Sequence, residues 1–131
     1  MKGLGADGPY WEALSENRLA LPQCAQCQSW QWPAPFRCAS CGHRELTWVE
    51  RPLKGQIYTW TRTWQAFDGM ENFPMPLCTV LVEIADAGGI RLLGIMDEGA
   101  PAPHIGMAVK GHIVSQHIWG RDIPALRWNA A

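Results

Sequence analysis

The sequence predicts a mostly β protein: an N-terminal helix, a zinc ribbon, and then a five-stranded antiparallel barrel of the OB-fold type. Three observations lead there. Cys24, Cys27, Cys38 and Cys41 form two Cys-x2-Cys knuckles with ten residues between them. Beyond Gly55, runs of β-branched and aromatic residues alternate with segments rich in Gly, Asp and Pro. Before the knuckles, Pro9 to Asn17 has the pattern of a short helix.

Pro9 suits a first helical turn because its φ is already helical and it has no N–H to leave unpaired. Asn17 can close the helix, and Tyr10, Trp11 and Leu14 fall on one face. Residues 1–18 are read as a helical arm, 19–50 as the ribbon and 51–131 as the barrel, with Arg51-Pro52-Leu53-Lys54 as the joint.

Two Cys-x2-Cys knuckles can bring four thiolates to one tetrahedral zinc with no open position, which makes the site structural. The same residues could form two disulfides, a redox Cys-x-x-Cys, or a tetrathiolate iron centre. No apolar stretch follows Met1-Lys2-Gly3, which argues against a secreted disulfide scaffold and for a reducing, cytoplasmic setting. A redox motif goes with a βαβ pattern that this sequence lacks. Softness and geometry do not exclude iron, and the ligand arithmetic favours zinc. Gly42 can take the positive φ that turns backbone N–H groups toward sulfur; Gln28 holds the equivalent place in the first knuckle less comfortably. Trp30 to Arg37, with Pro33 and Pro35, reads as an extended return strand, and Leu46 to Val49 closes the ribbon.

In the barrel segment, Gln56 to Thr63 alternates, placing Ile57, Thr59 and Thr61 on one face and Tyr58, Trp60 and Arg62 on the other. Ala66 to Pro76 is a loop. Leu77–Ile84 and Ile90–Met96 are strands around the turn Asp86-Ala87-Gly88-Gly89. Asp97 to Pro103 is a second loop, followed by a strand at Met107–Ser115 and a last one near Ile118–Trp119. Cys78, within an apolar run, reads as a buried inert thiol.

The net charge of -1 is unevenly spread. Residues 17–64 carry Arg18, Arg37, Arg44, Arg51, Lys54 and Arg62 against Glu45 and Glu50, a local +4. That is too little for a duplex-binding footprint and suits a compact polyanion better. Eight tryptophans are more than a chain of 131 residues easily hides, so some should line a groove or meet a partner. No apolar stretch is long enough to span a membrane. His43, His104, His112 and His117 are scattered, and adjacent Asp97 and Glu98 diverge on an extended chain. No Gly-x-Ser-x-Gly, Walker loop or His-Glu-x-x-His is present, and no nucleophile–base–orienter set can be assembled. Alone, the chain reads as non-catalytic.

The order of these parts resembles a known family. Tyr10-Trp11-Glu12-Ala13-Leu14, then Leu19 to Cys27, Pro33 to Gly42 and Gly55 to Thr61 together resemble the DUF35 family, over roughly residues 9–128. Leu81 to Ile84 and Ile105 to Val109 continue the match, while Leu126-Arg127-Trp128 departs from the family's Phe/Pro-rich tail. The resemblance implies a rubredoxin-like zinc ribbon joined to an OB-fold, associated with acyl-CoA. It implies an accessory subunit of a thiolase-, acyltransferase- or aldolase-type complex, docked on a thiolase-superfamily enzyme such as a lipid-transfer-protein-like aldolase. A MaoC-type hydratase is the second choice of partner, and two copies of each chain are the expected assembly. Arg37, Trp60 and Arg62 are then candidates for contact with the coenzyme A thioester, and Cys24, Cys27, Cys38 and Cys41 for structural zinc. From a different class, a ribbon and OB-fold could bind single-stranded nucleic acid by stacking and phosphate contacts.

Overall fold

Pro9 in the first turn and a left-handed Asn17 (φ 60°) just past the last one bracket the helix α1, Gly8–Ser15. The computed structural model describes residues 5–131. The buried face of α1 is Tyr10, Ala13 and Leu14. Trp11, expected on that face, stays half-buried and donates from Nε1 to Asp7 Oδ2 at 2.9 Å. An indole N–H needs an acceptor, and the carboxylate holds it at the rim. Tyr10 packs on Trp32, with ring centroids 4.6 Å apart.

The ribbon has one antiparallel pair, β1 (Ala20–Cys24) with β2 (Leu46–Glu50), in register from Ala20 opposite Glu50 to Cys24 opposite Leu46. The return strand expected between the knuckles does not form. Trp30 makes a single bridge to Gln23, and the chain then continues without strand pairing through Arg37. Pro33 and Pro35 have no N–H to donate, so a ladder cannot continue past them.

Two compact units result. One runs up to Pro52 and includes Ala85–Ile90; the other comprises Leu53–Ile84 and Arg91–Ala131. The second unit is a closed barrel of β3 (Lys54–Thr63), β4 (Leu77–Ile84), β5 (Ile90–Met96), β6 (Ala108–Ile118) and β7 (Arg121–Ala130), in the order β3-β4-β5-β7-β6.

Three sequence expectations need correction here. The barrel is not wholly antiparallel: β5 and β7 run parallel, with Ile95 opposite Arg127 and Met96 opposite Trp128. Directions cannot alternate around a closed ring of five strands, so one pair must be parallel. On β3, Ile57 pairs with Val82 and Thr59 with Leu81, so Tyr58 is an extra residue in a bulge. That insertion resets the alternation. Trp60 and Arg62, opposite Val80 and Cys78, share the face of Ile57, and Thr59 and Thr61 are exposed. Finally, Ile118 ends β6 and the last strand is β7. Trp119 (φ 47°) and Gly120 (φ 71°) form the two-residue turn between them, both in the left-handed region that such hairpins require.

The barrel core contains Ile57, Val80, Val82, Ile84, Leu92, Val109, Leu126 and Trp128, all buried. Leu126 and Trp128, near the C-terminal end of β7, both point inward. The indole of Trp128 fits because β5 has a glycine beside it: a Cβ on Gly94 would stand 2.6 Å from the ring's Cδ1. Among the described residues, no helix is long and apolar enough to cross a membrane.

Candidate functional site

The two knuckles are built by the same backbone device. In the first, Cys24 N donates to Ser29 O and Gln28 N to Cys24 O, at 2.9 and 3.0 Å. In the second, Cys38 N donates to His43 O and Gly42 N to Cys38 O, at 2.8 and 2.9 Å. Gln28 (φ 61°) and Gly42 (φ 78°) both occupy the left-handed position, so glutamine adopts at the first knuckle what glycine adopts freely at the second. The turns aim N–H groups at sulfur: Gln26 N at 3.4 Å from Cys24 Sγ, and Ser40 N at 3.3 Å from Cys38 Sγ.

Folding these knuckles together places the sulfurs of Cys24, Cys27, Cys38 and Cys41 within 4.8 Å of one another. Cys24 Sγ is 3.6 Å from Cys41 Sγ, and Cys27 Sγ is 3.5 Å from Cys38 Sγ. Zinc–sulfur bonds at tetrahedral angles need sulfurs ~3.8 Å apart, so the four residues fit a closed tetrathiolate zinc site. The charge balance points the same way. The Ser29 hydroxyl is the largest influence on Cys38 and lowers its thiol to about 5; the same group lowers Cys27. For Cys41 the His43 backbone bond acts downward, but desolvation and the bonds to the Cys24, Cys27 and Cys38 sulfurs outweigh it and raise the thiol to about 11. Crowded thiols of this kind cannot all ionise without a cation among them.

Sequence reasoning missed the polar residues around this cluster. Ser29 Oγ lies 3.1 Å from Cys27 Sγ and 3.3 Å from Cys38 Sγ. Gln31 Nε2 donates to Ser29 Oγ at 2.7 Å, and Gln31 Oε1 accepts from Ala39 N at 3.0 Å. No spacing rule marks these positions. The one available signal was an amide side chain between two tryptophans in a segment otherwise read as aromatic.

In the barrel unit, Trp60 and Arg62 come together as alternate residues of β3, and the bulge before them puts their shared face on the side of Ile57. The Arg62 guanidinium lies 5.4 Å from the Trp60 ring centroid and 5.8 Å from that of Trp64. Its Nε is 3.5 Å from Cys78 Sγ. Cys78 is half-buried at the wall of a cavity, not fully buried as its apolar run suggested. The cavity measures about 310 Å³ and is lined by Arg62, Cys78, Met96, Asp97 and the proline-rich stretches around Pro76 and Pro101. Arg37 stands exposed in the ribbon unit, immediately before Cys38.

Asp97 is also better placed than the sequence suggested. Its carboxylate accepts from His112 Nε2 at 2.9 Å and from Asn129 Nδ2 at 3.1 Å, while Glu98 remains exposed. The Asp97 partners come from β6 and β7, which no local pattern in the chain reveals. His117 is likewise held, with Nδ1 2.8 Å from Asp122 Oδ1.

Residues 11–47 match the family described as ChsH2, rubredoxin-like zinc ribbon domain. A solved structure described as an Ltp2-ChsH2(DUF35) aldolase is 27% identical, with a TM-score of 0.79 over 93% of each chain. A DUF35 protein of unknown function from Sulfolobus solfataricus shares the fold at a TM-score of 0.60 and 19% identity, over 99% of this chain and 87% of the other. A probable enoyl-CoA hydratase alpha subunit of Thermomonospora curvata is 31% identical over 108 residues, 81% of this chain. The chain spans 33% of the length of that curated relative. The ribbon is thus similar in sequence to the ChsH2 zinc-ribbon domain, and the chain shares its fold over nearly its full length with these DUF35 structures.

Proposed function

We propose that this chain is a non-catalytic subunit that binds acyl-CoA and docks onto a thiolase-superfamily enzyme, a thiolase or a lipid-transfer-protein-like aldolase, that forms or cleaves carbon–carbon bonds. The observation that carries the reading is the likeness, over 93% of the chain, to the protein described as an Ltp2-ChsH2(DUF35) aldolase. The curated relative is described as a probable enoyl-CoA hydratase alpha subunit, which supports a CoA thioester as the ligand.

The site chemistry fits this role. A closed tetrathiolate leaves no position for substrate, so the ribbon acts as a scaffold. Arg62 offers a guanidinium over two indoles at the mouth of a cavity. A guanidinium pairs with phosphate oxygens in a bidentate manner, and indole faces stack on a purine, so the group suits the nucleotide end of the coenzyme. Arg37, in the ribbon unit, is an exposed cation and a separate candidate for contact with the coenzyme. Trp64, Phe67 and Trp119 are 71, 66 and 74% exposed, large apolar surface for a partner to cover.

Recovery of the tagged chain from its native host tests the reading. A thiolase-superfamily protein in equal amount is expected, in an assembly with two copies of each. Nucleic acid in its place, or a MaoC-type hydratase alone, would overturn it. Salt separates the classes further: docking through apolar surface should survive a rise from about 50 to 200 mM, whereas phosphate-tracking binding should fall by orders of magnitude. In the assembled enzyme, Arg62→Ala should raise KM for the acyl-CoA about tenfold with kcat nearly unchanged, because it removes binding shared by ground and transition states.

A further inference from the structure

We propose that Gln31 and Ser29 form a directional relay that donates one hydrogen bond to the metal-bound sulfurs, and that this relay sets how tightly the ribbon holds its zinc. Gln31 is a buried polar side chain, 7% exposed, and each of its amide atoms is committed. The Ala39 N–H can only donate, so the atom facing it at 3.0 Å is the amide oxygen. The amide nitrogen is then fixed toward Ser29 Oγ, 2.7 Å away, as donor. A hydroxyl has a single proton, and Ser29 Oγ already accepts from Gln31. Its proton is therefore free to point at sulfur, with Cys27 Sγ at 3.1 Å and Cys38 Sγ at 3.3 Å. A metal-bound thiolate has no proton and can only accept.

The relay spans the ribbon. Ser29 follows the first knuckle, Ala39 lies within the second, and Cys27 and Cys38 come one from each. A chain of bonds with one direction thus links the two halves of the site through a buried amide. Hydrogen bonds around a metal site orient its ligands and tune their donor strength, and losing one costs about 10- to 100-fold in metal affinity.

Gln31→Glu is nearly isosteric and reverses the relay. A carboxylate still accepts from Ala39 N, but its second oxygen can only accept from Ser29, which draws the hydroxyl proton away from sulfur. Ser29→Ala removes the donor outright, and Ser29→Thr keeps it. The full-length zinc protein is challenged with a chelator, and zinc release is followed. The cobalt-substituted protein gives a second readout, because a sulfur that loses a hydrogen bond is a stronger donor. Gln31→Glu and Ser29→Ala should each release zinc about 10- to 100-fold faster and move the sulfur-to-cobalt bands to lower energy. Ser29→Thr should match the parent protein in both. Unchanged release and spectra in Ser29→Ala would overturn the proposal. So would an effect of Gln31→Glu that persists at full size when Ser29 is already alanine, since Gln31 would then act through packing alone.

Discussion

The indole of Trp128 lies so close to Gly111 that a Cβ added there would stand 2.8 Å from the ring's Cζ3. The ring is fully buried and has nowhere to retreat. Gly111→Ala should therefore cost about 1–3 kcal/mol through overpacking, read as a lower denaturant midpoint. Gly8→Ala is the control, since a Cβ there meets nothing within 4 Å. A Gly111→Ala midpoint equal to the parent would show that the barrel centre has slack.

Replacing Cys38 or Cys41 with Ser should take zinc from one per chain to nearly none and unfold the ribbon, since metal binding and folding are coupled in such sites. Metal analysis of the purified variants decides it. One zinc retained in either would remove the four-cysteine assignment. The parent protein treated with a strong chelator should give the same ribbon spectrum as the variants.

Tyr10 gives the pH dependence a definite sign. Burial raises its phenol above the ordinary value of 10.0. The folded protein then keeps the proton in a range where the unfolded chain loses it. Stability from this group is fully present below pH 10 and is lost as the pH rises from there toward the raised folded value. Melting temperatures between pH 8 and 11 should fall above about 10, and Tyr10→Phe should flatten that slope. A slope unchanged in the Phe variant would assign the alkaline loss to other groups.

Cys78 touches Arg62 and borders the cavity, yet Cys78→Ala should leave the activity of the assembled enzyme nearly intact and change stability by about 1 kcal/mol or less. Complete loss of activity in this variant would make the thiol a nucleophile.

The ribbon was legible in the sequence because its information is local. Cysteine spacing, Gly42 and Gln28 each act within a few residues, and the structure places all of them as their chemistry dictates. Pro9 and Asn17 announced α1 for the same reason. The barrel strands β4 and β5 could also be read, because each is a run of apolar residues flanked by turn formers. What failed was either non-local or carried by residues that ordinarily argue against a strand. The bulge at Tyr58 leaves no mark in composition, yet it moves Trp60 and Arg62 to the opposite face from the one their alternation implied. β7 was missed because Pro124 counts against a strand and Trp119-Gly120 is an unusual turn pair. The relay of Ser29 and Gln31 depends on a return path that only the folded ribbon defines.

The parallel pairing of β5 with β7 has a consequence for how the protein is made. β7 follows every other barrel strand in the chain, and it carries Trp128, the side chain around which the rest close. While a ribosome is still translating, β3, β4 and β5 can meet only as a curved sheet with unpaired edges and a hollow inner face. Such edges recruit other chains. A stop codon ahead of Leu126 would therefore yield no smaller barrel, only a sticky nascent fragment for chaperones and proteases to clear.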